Sequence, residues 1–424
     1  HWGLGGLGLI SYDDWLEHAT DVWVARLGAP VNRLEPQAVA QSTSPAGGRI
    51  QVYGFADLRP HIISIGNDGR LRTTGVYGTS ERDVHTILTQ DFPALTRTWR
   101  RKRLLLYAHG GLVSEQAAIQ RVADYRKTLL EAEIYPLAFV WKSDYWSTLQ
   151  NLLEDIIRRR RPEGILDAAR DFLLERLDDT LELIARAGSG KAEWDEMKEN
   201  AELATAGDQG GARLAALRLA ELTRRIPGLE LHLAGHSAGS IFHAPLVSLL
   251  TSPPSDGGLG LQVASLTLWA PAIAVARFEQ TCASAIRSGR IKRFSLFTLT
   301  DRAELDDHCA GLYHKSLLYL VSNAFERERG TPILGMEKHV RASQSLRRLL
   351  RAPNAAWVLS PNTAPLGSAQ AARARHHGDF DDDEATLKAT LARILGRRAV
   401  RDRIVIHRAG PALENRRRPL NMLG

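Results

Sequence analysis

The stretch Leu231-His232-Leu233-Ala234-Gly235-His236-Ser237-Ala238-Gly239-Ser240 reads as a short apolar strand, a Gly-x-Ser-x-Gly turn and the first residues of a helix. A serine in that context sits on a tight strand-to-helix elbow. Glycines flank it because side chains at those positions would collide with neighbouring backbone. The turn holds the Ser237 hydroxyl above the sheet edge, and the first amides of the following helix point toward the same space.

Working outward, the chain alternates strand and helix from Arg103 onward, the pattern of a mainly parallel sheet covered by helices. Leu104 to Ala108 is an apolar run of buried-strand length that ends at His109-Gly110-Gly111-Leu112. A helix follows, with Ile119, Val122, Ala123 and Leu130 on one side. Further strands are expected at Ile134 to Trp141, Leu229 to Ala234, Ala264 to Trp269, Ile291 to Leu299 and Ala355 to Leu359. Arg49 to Leu58 and His61 to Val76 alternate β-formers around Asn67-Asp68-Gly69, which predicts an N-terminal antiparallel hairpin at the start of a mixed sheet. Residues 1–48 read as an extension: a short amphipathic helix over 11–27, then a loop rich in Pro, Ser and Gly. The Gly3 to Gly8 GxGxxG has no strand before it, which argues against a dinucleotide site.

The alternation breaks at about 142–227. Leu166, Ala169, Leu173, Leu177, Leu181 and Ile184 recur at spacings of three and four, as do Leu219, Leu222 and Ile226. This stretch is expected to be a helical cap insertion over the site, within a single α/β domain spanning 49–424. Gly188-Ser189-Gly190-Lys191 lacks the spacing of a phosphate loop.

With 424 residues, 44% of them hydrophobic, the chain can fill a large core. Mean hydropathy is −0.22, and no apolar run approaches the roughly 18–20 residues of a membrane-spanning helix, so no integral membrane segment is expected. Cys282 and Cys309 make neither a disulfide framework nor a metal spacing. Free thiols favour the cytoplasm, while secretion stays open because the chain begins at His1. The net charge of +7 comes from short basic runs scattered along the chain and not interleaved with aromatics, so no nucleic-acid groove is expected.

Serine at neutral pH needs a base within hydrogen-bond reach and an acid to orient that base. Asp301 lies just past the strand ending at Leu299, in competition with Glu304, Asp306 and Asp307. The loop after Leu359 carries His376-His377-Gly378, and Gly378 allows the sharp loop that presents His377. Developing negative charge on an oxyanion calls for preorganised amides, expected from Gly110, Gly111 or Leu112 together with Ala238. Trp141, Tyr145, Trp146 and His236 are candidates to line a substrate pocket. The acidic run Asp379 to Glu384 lacks the ligand spacing of a calcium loop and is read as capping a helix from Ala385.

On His109-Gly110-Gly111, Gly235-His236-Ser237-Ala238-Gly239, Asp301 and His377-Gly378, the chain resembles bacterial α/β-hydrolase-fold serine hydrolases of the esterase/lipase kind, over roughly Arg103 to Arg397. Leu112 stands where some members carry a third glycine. The resemblance implies Ser237 as nucleophile, His377 as base, Asp301 as orienting acid and the two loop amides as oxyanion hole. It further implies cleavage of a small-molecule ester or lipid-like substrate with no metal and no organic cofactor. The same constellation serves an amidase, a peptidase or an acyltransferase, and the fold also serves as a non-catalytic binding module. Nothing in the sequence sets the oligomeric state.

Overall fold

The computed structural model describes residues 40–42, 51–111, 113–141, 182, 185–186, 189–309, 313–397 and 400. These belong to one compact unit, Val39–Gly424. The expected helix over 11–27, the Gly3 to Gly8 motif, the Leu166 to Leu181 stripe, Ile184, Leu112, Tyr145 and Trp146 lie outside the described residues.

The core is a seven-stranded sheet in which every pairing is parallel. Its strands are β3 (Ile62–Ile65), β4 (Arg103–Ala108), β5 (Ile134–Trp141), β6 (Glu230–His236), β7 (Ser265–Trp269), β8 (Phe294–Leu299) and β9 (Ala355–Ser360). They stand in the order β3-β5-β4-β6-β7-β8-β9. β5, β7 and β8 are buried along their whole lengths, as strands covered on both faces must be. Two short strands outside it, β1 (Ala40–Ser42) and β2 (Gln51–Tyr53), pair antiparallel with each other.

The expected antiparallel hairpin about Asn67-Asp68-Gly69 forms only in part, and the strand before it enters the sheet in parallel. Phe55–Leu58 is a helical turn, and β3 joins the sheet edge parallel to β5. Asn67-Asp68-Gly69 does reverse the chain, with Gly66 N–H donating to Arg70 C=O at 2.8 Å, but the return is only a single bridge from Ile65 to Leu71. The alternation failed as a guide because Ile62–Ile65 is buried on both faces. Pro136 is tolerated inside β5 because pairing to β3 begins only at Ala138, and its carbonyl is taken by His61 Nδ1–H at 2.8 Å.

Helix α1 (Glu115–Glu131) joins β4 to β5. Helices α2 (Ser189–Leu203) and α3 (Gly211–Arg225) precede β6, α4 (Gly239–Thr251) leads from it to β7, and α5 (Glu384–Ile394) follows β9. Helix α4 is buried all round except at Ser248. It meets the sheet through Phe242, whose ring lies 5.1 Å from Phe139 and 5.3 Å from Trp141. On the other face α1 and α5 flank an apolar cavity lined by Leu105, Val122, Leu129, Leu387 and Leu391, with Tyr107 among its walls. Helix α3 buries a small-residue face (Gly211, Ala212, Ala215, Ala216), and a Cβ at Gly211 would lie 2.6 Å from Ile65 Cδ1 of β3. That face lets the helix lie close to the sheet.

The strand order places the site. From β4 the chain turns to β5 on one side, whereas from β6 it turns to β7 on the other, and β4 and β6 are neighbours. Right-handed crossovers then send α1 and α4 to opposite faces, and a crevice opens at the carboxyl ends of β4 and β6.

Candidate functional site

Two turns meet in that crevice: Ser237 after β6, and His109-Gly110-Gly111 after β4. Ser237 has φ +50°, a left-handed conformation rare for a residue with a side chain and costing on the order of 1–3 kcal/mol. Neighbouring groups hold it there. Its N–H donates to Trp269 C=O at 2.9 Å, and its C=O accepts from Ala272 N–H at 3.0 Å and from the Ser240 hydroxyl at 2.6 Å. The flanking glycines are required by space. A Cβ on Gly239 would lie 2.1 Å from the Ala108 carbonyl oxygen, and one on Gly235 would lie 3.0 Å from Gly239 backbone and 2.9 Å from His243. The turn after β4 abuts the serine: a Cβ on Gly110 would be 3.3 Å from Ser237 Cβ, and one on Gly111 would be 3.2 Å from Ala238 Cβ and 3.1 Å from Met197 Sδ of α2.

His109 shapes this turn. Trp141 N–H donates to its Nε2 at 3.3 Å, so Nε2 is the bare nitrogen, and Nδ1–H faces the Gly110 carbonyl at 2.9 Å. Burial, partly offset by these backbone bonds and by Asp381, pulls its pKa down to about 4, so the ring is neutral at physiological pH. Trp141, a candidate pocket residue, packs against this turn. It is buried, and its indole N–H donates to His109 C=O at 3.2 Å, which makes it a brace for the glycine turn.

His377 Nε2 lies 2.9 Å from Ser237 Oγ, across 140 residues of sequence. Both residues are buried, Ser237 at 2% and His377 at 4% exposure. Burial, and then the neighbouring His236, hold the His377 imidazole well below the usual histidine range. It is therefore neutral, able to accept a proton from the serine hydroxyl while Nδ1 carries the ring proton. His377 Nδ1 itself is buried without a partner.

The acids after β8 are sorted by their contacts. Asp301 is not brought to the histidine: its Oδ1 accepts from Tyr319 O–H at 3.0 Å, and its amide donates to Glu337 at 2.7 Å. It opens the helical turn Asp301–Leu305, whose direction carries its side chain toward Tyr319. Glu304 is buried against the Ser316 hydroxyl, and burial raises its carboxyl to about 8. Asp306 pairs with Arg302 at the surface. Asp307, one of the alternatives, does reach the histidine's loop. Its Oδ2 accepts His377 N–H at 2.8 Å, while its Oδ1 takes His376 Nδ1 at 3.0 Å and His308 N–H at 2.8 Å.

His236, expected as a pocket residue, instead faces that loop, with Nε2–H donating to the His377 carbonyl at 3.0 Å. Asp383 caps α5 as the acidic run predicts, accepting from Thr386 N–H at 2.9 Å, but Asp381 and Asp382 turn inward to Arg121 of α1. Charge runs show which residues are acidic without showing which way they turn. The apolar cavity between α1 and α5 is lined by neither Ser237 nor His377.

Among the described residues, no group of three or more His, Cys, Asp or Glu side chains comes together to hold a metal ion, and no helix is long and apolar enough to cross a membrane. Comparison of the chain with protein-family models, with curated proteins and with solved structures finds no match.

Proposed function

We propose that this protein is a serine hydrolase of the α/β-hydrolase kind that cleaves a carboxylic ester through an acyl-enzyme on Ser237. The observation that carries this reading is the 2.9 Å approach of His377 Nε2 to Ser237 Oγ at the switch point of a parallel sheet. His377 Nε2 takes the hydroxyl proton as Oγ attacks the ester carbonyl, and returns it to the leaving alcohol. Water then repeats the sequence on the acyl-enzyme. The tetrahedral oxyanion forms beside the Gly110-Gly111 turn and the start of α4, where backbone amides meet it with little reorganisation. Asp307 takes the place of Asp301 as the candidate acid, because it is the carboxylate after β8 that reaches the His377 segment, where it holds the His377 backbone N–H. Helix α2, with Met197 against Gly111, acts as the cap, and its displacement admits substrate to the buried serine.

The test is labelling with a fluorophosphonate probe. The wild-type chain is expected to label at Ser237 and Ser237→Ala to remain unlabelled. Equal labelling of the two, or none of the wild type, would sink the proposal. A panel of p-nitrophenyl esters beside anilides and alcohol acceptors then separates ester cleavage from amide cleavage and acyl transfer.

A further inference from the structure

Beneath the Ser237–His377 pair lies a buried ionic chain that the proposed chemistry leaves unused. Arg121 sits on α1 at 5% exposure, far from the surface an arginine ordinarily seeks. Its Nη1–H donates to the Asp381 backbone carbonyl at 3.1 Å and to the Tyr125 hydroxyl at 3.1 Å. Its Nη2 bonds Asp382 Oδ2 at 3.1 Å and stands 3.5 Å from Asp381 Oδ2. The same Asp381 oxygen lies 3.7 Å from His236 Nδ1, and Asp381 is itself 3% exposed. His236 closes the chain through Nε2–H on the His377 carbonyl at 3.0 Å. Burial works against the Arg121 charge, yet Asp381, Tyr125 and Tyr107 hold its guanidinium above the usual arginine range.

Resting on the reading of His377 as the base, we propose that Arg121–Asp381–His236 is a positioning device for that histidine. The geometry has a clear logic. Residues 361–376 between β9 and the His377 turn carry no helix or strand to fix them. Asp307 holds the His377 N–H from the β8 side, and His236 holds its C=O from the β6 side, so the peptide groups on both flanks of the residue are fixed. His236 immediately precedes the nucleophile and therefore measures the base against the serine itself. For that, His236 must carry a proton on Nε2. Asp381 Oδ2 stands 3.7 Å from Nδ1, outside hydrogen-bond distance, so it bounds the ring by packing, while Arg121 ties the residues just after the His377 turn to α1 through the Asp381 carbonyl and the Asp382 carboxylate. None of these three side chains touches the Ser237 hydroxyl. They act through His377.

The experiment compares wild type with Asp381→Asn, His236→Leu and His236→Gln, the last keeping an amide donor near the position of Nε2. Turnover of p-nitrophenyl butyrate and hydrogen exchange of the peptide spanning 373–383 are measured on the same preparations. The expectation is a 10- to 100-fold fall in kcat with KM changed less than threefold for His236→Leu and Asp381→Asn, and recovery to within about fivefold of wild type in His236→Gln. Exchange in 373–383 should speed up at least tenfold in the first two variants, while α4 stays protected. Unchanged exchange and kcat in His236→Leu would overturn the positioning role, as would a fall in His236→Gln equal to that in His236→Leu. If wild type turns over no ester, the hydrolase reading fails alone. The exchange pattern across the three variants then still decides whether the chain holds the His377 segment.

Discussion

Replacing Asp307 by asparagine is the sharpest perturbation of the proposed site. The carboxylate accepts three bonds: His377 N–H on Oδ2, and His376 Nδ1 with His308 N–H on Oδ1. An asparagine keeps one carbonyl oxygen and turns the other oxygen into an NH2 that must face a donor. One charge-assisted bond at a 5% exposed site is therefore lost and replaced by a donor–donor contact. Hydrogen bonds to a charged partner contribute about 1.5–3 kcal/mol. If that loss falls on the step in which His377 becomes an imidazolium, the rate drops roughly 10- to 150-fold. The control is Asp301→Asn, which preserves an acceptor for the Tyr319 hydroxyl and is expected to stay within about threefold of wild type. The assay is the second-order rate constant for fluorophosphonate labelling of Ser237, beside kcat/KM on p-nitrophenyl butyrate. A tenfold or greater loss in Asp301→Asn, with Asp307→Asn unaffected, would refute the reasoning and return the acid to the helical turn after β8.

Burial pulls His61 down to about 3, and His109 and His243 down to about 4, in each case against a partly compensating backbone hydrogen bond. The unfolded chain therefore binds more protons than the folded one between pH ~6.5 and 4, and stability falls as pH is lowered through that window by about 1.4 kcal/mol per unit for each histidine. Urea midpoints at pH 7, 5.5 and 4.5 should fall in that order, and a flat series would contradict the burial argument. Gly239→Ala places a methyl 2.1 Å from the Ala108 carbonyl oxygen. It should cost about 3 kcal/mol or more in denaturant unfolding, since backbone stands in the way, and a cost under 1 kcal/mol would show that the elbow can relax. Cys282 and Cys309 are buried thiols raised by burial, Cys282 to about 12. Neither should react with a thiol-specific disulfide reagent until the chain is unfolded, and prompt titration in the native protein would argue against their burial.

The central strands were legible because each is an apolar run bounded by turn residues, and Ile134–Trp141 begins and ends where the sequence predicts. The elbow was legible for a steric reason that survives in the sequence, since Gly235 and Gly239 have neighbours that exclude any Cβ. Direction was not legible. Alternation in Arg49 to Val76 suggested a hairpin, but whether β3 runs parallel or antiparallel depends on a partner, β5, that lies about 70 residues away. The helical period of α3 similarly told of a buried face without telling what buries it; its partners include α4 and the helical stretch Glu81–Asp91, with Gly211 against Ile65 of β3. Choosing among Asp301, Glu304, Asp306 and Asp307 failed for the same reason. Four acids within seven residues share one composition, and only the path of the chain from Thr300 to Cys309 sends Asp307 to the histidine loop.

The two halves of the proposed machinery are held in different ways, and the difference follows from where each comes in the chain. Ser237 ends a strand, so its strained φ is offset by backbone bonds to its neighbours: Trp269 on the adjoining β7, and Ala272 and Ser240 just beyond. Any substitution that loosens β7 against β6 releases that strain before it touches the serine. His377 opens a single 3-10 turn, His377–Asp379, after a segment without strand or helix, and must be closely placed for proton transfer. Regular hydrogen-bond ladders are absent there, so buried charge takes their place: Asp307 on one flank, Arg121 with Asp381 and His236 on the other. Buried ion pairs add little net stability, because desolvation cancels most of their attraction. Their orientation is nevertheless stiff, since any displacement leaves a charge unpaired in a low-dielectric interior. That exchange of stability for geometry is useful only where a particular atom must be aimed. Around His377, the contacts of Asp307, Arg121 and Asp381 flank the histidine that faces the serine.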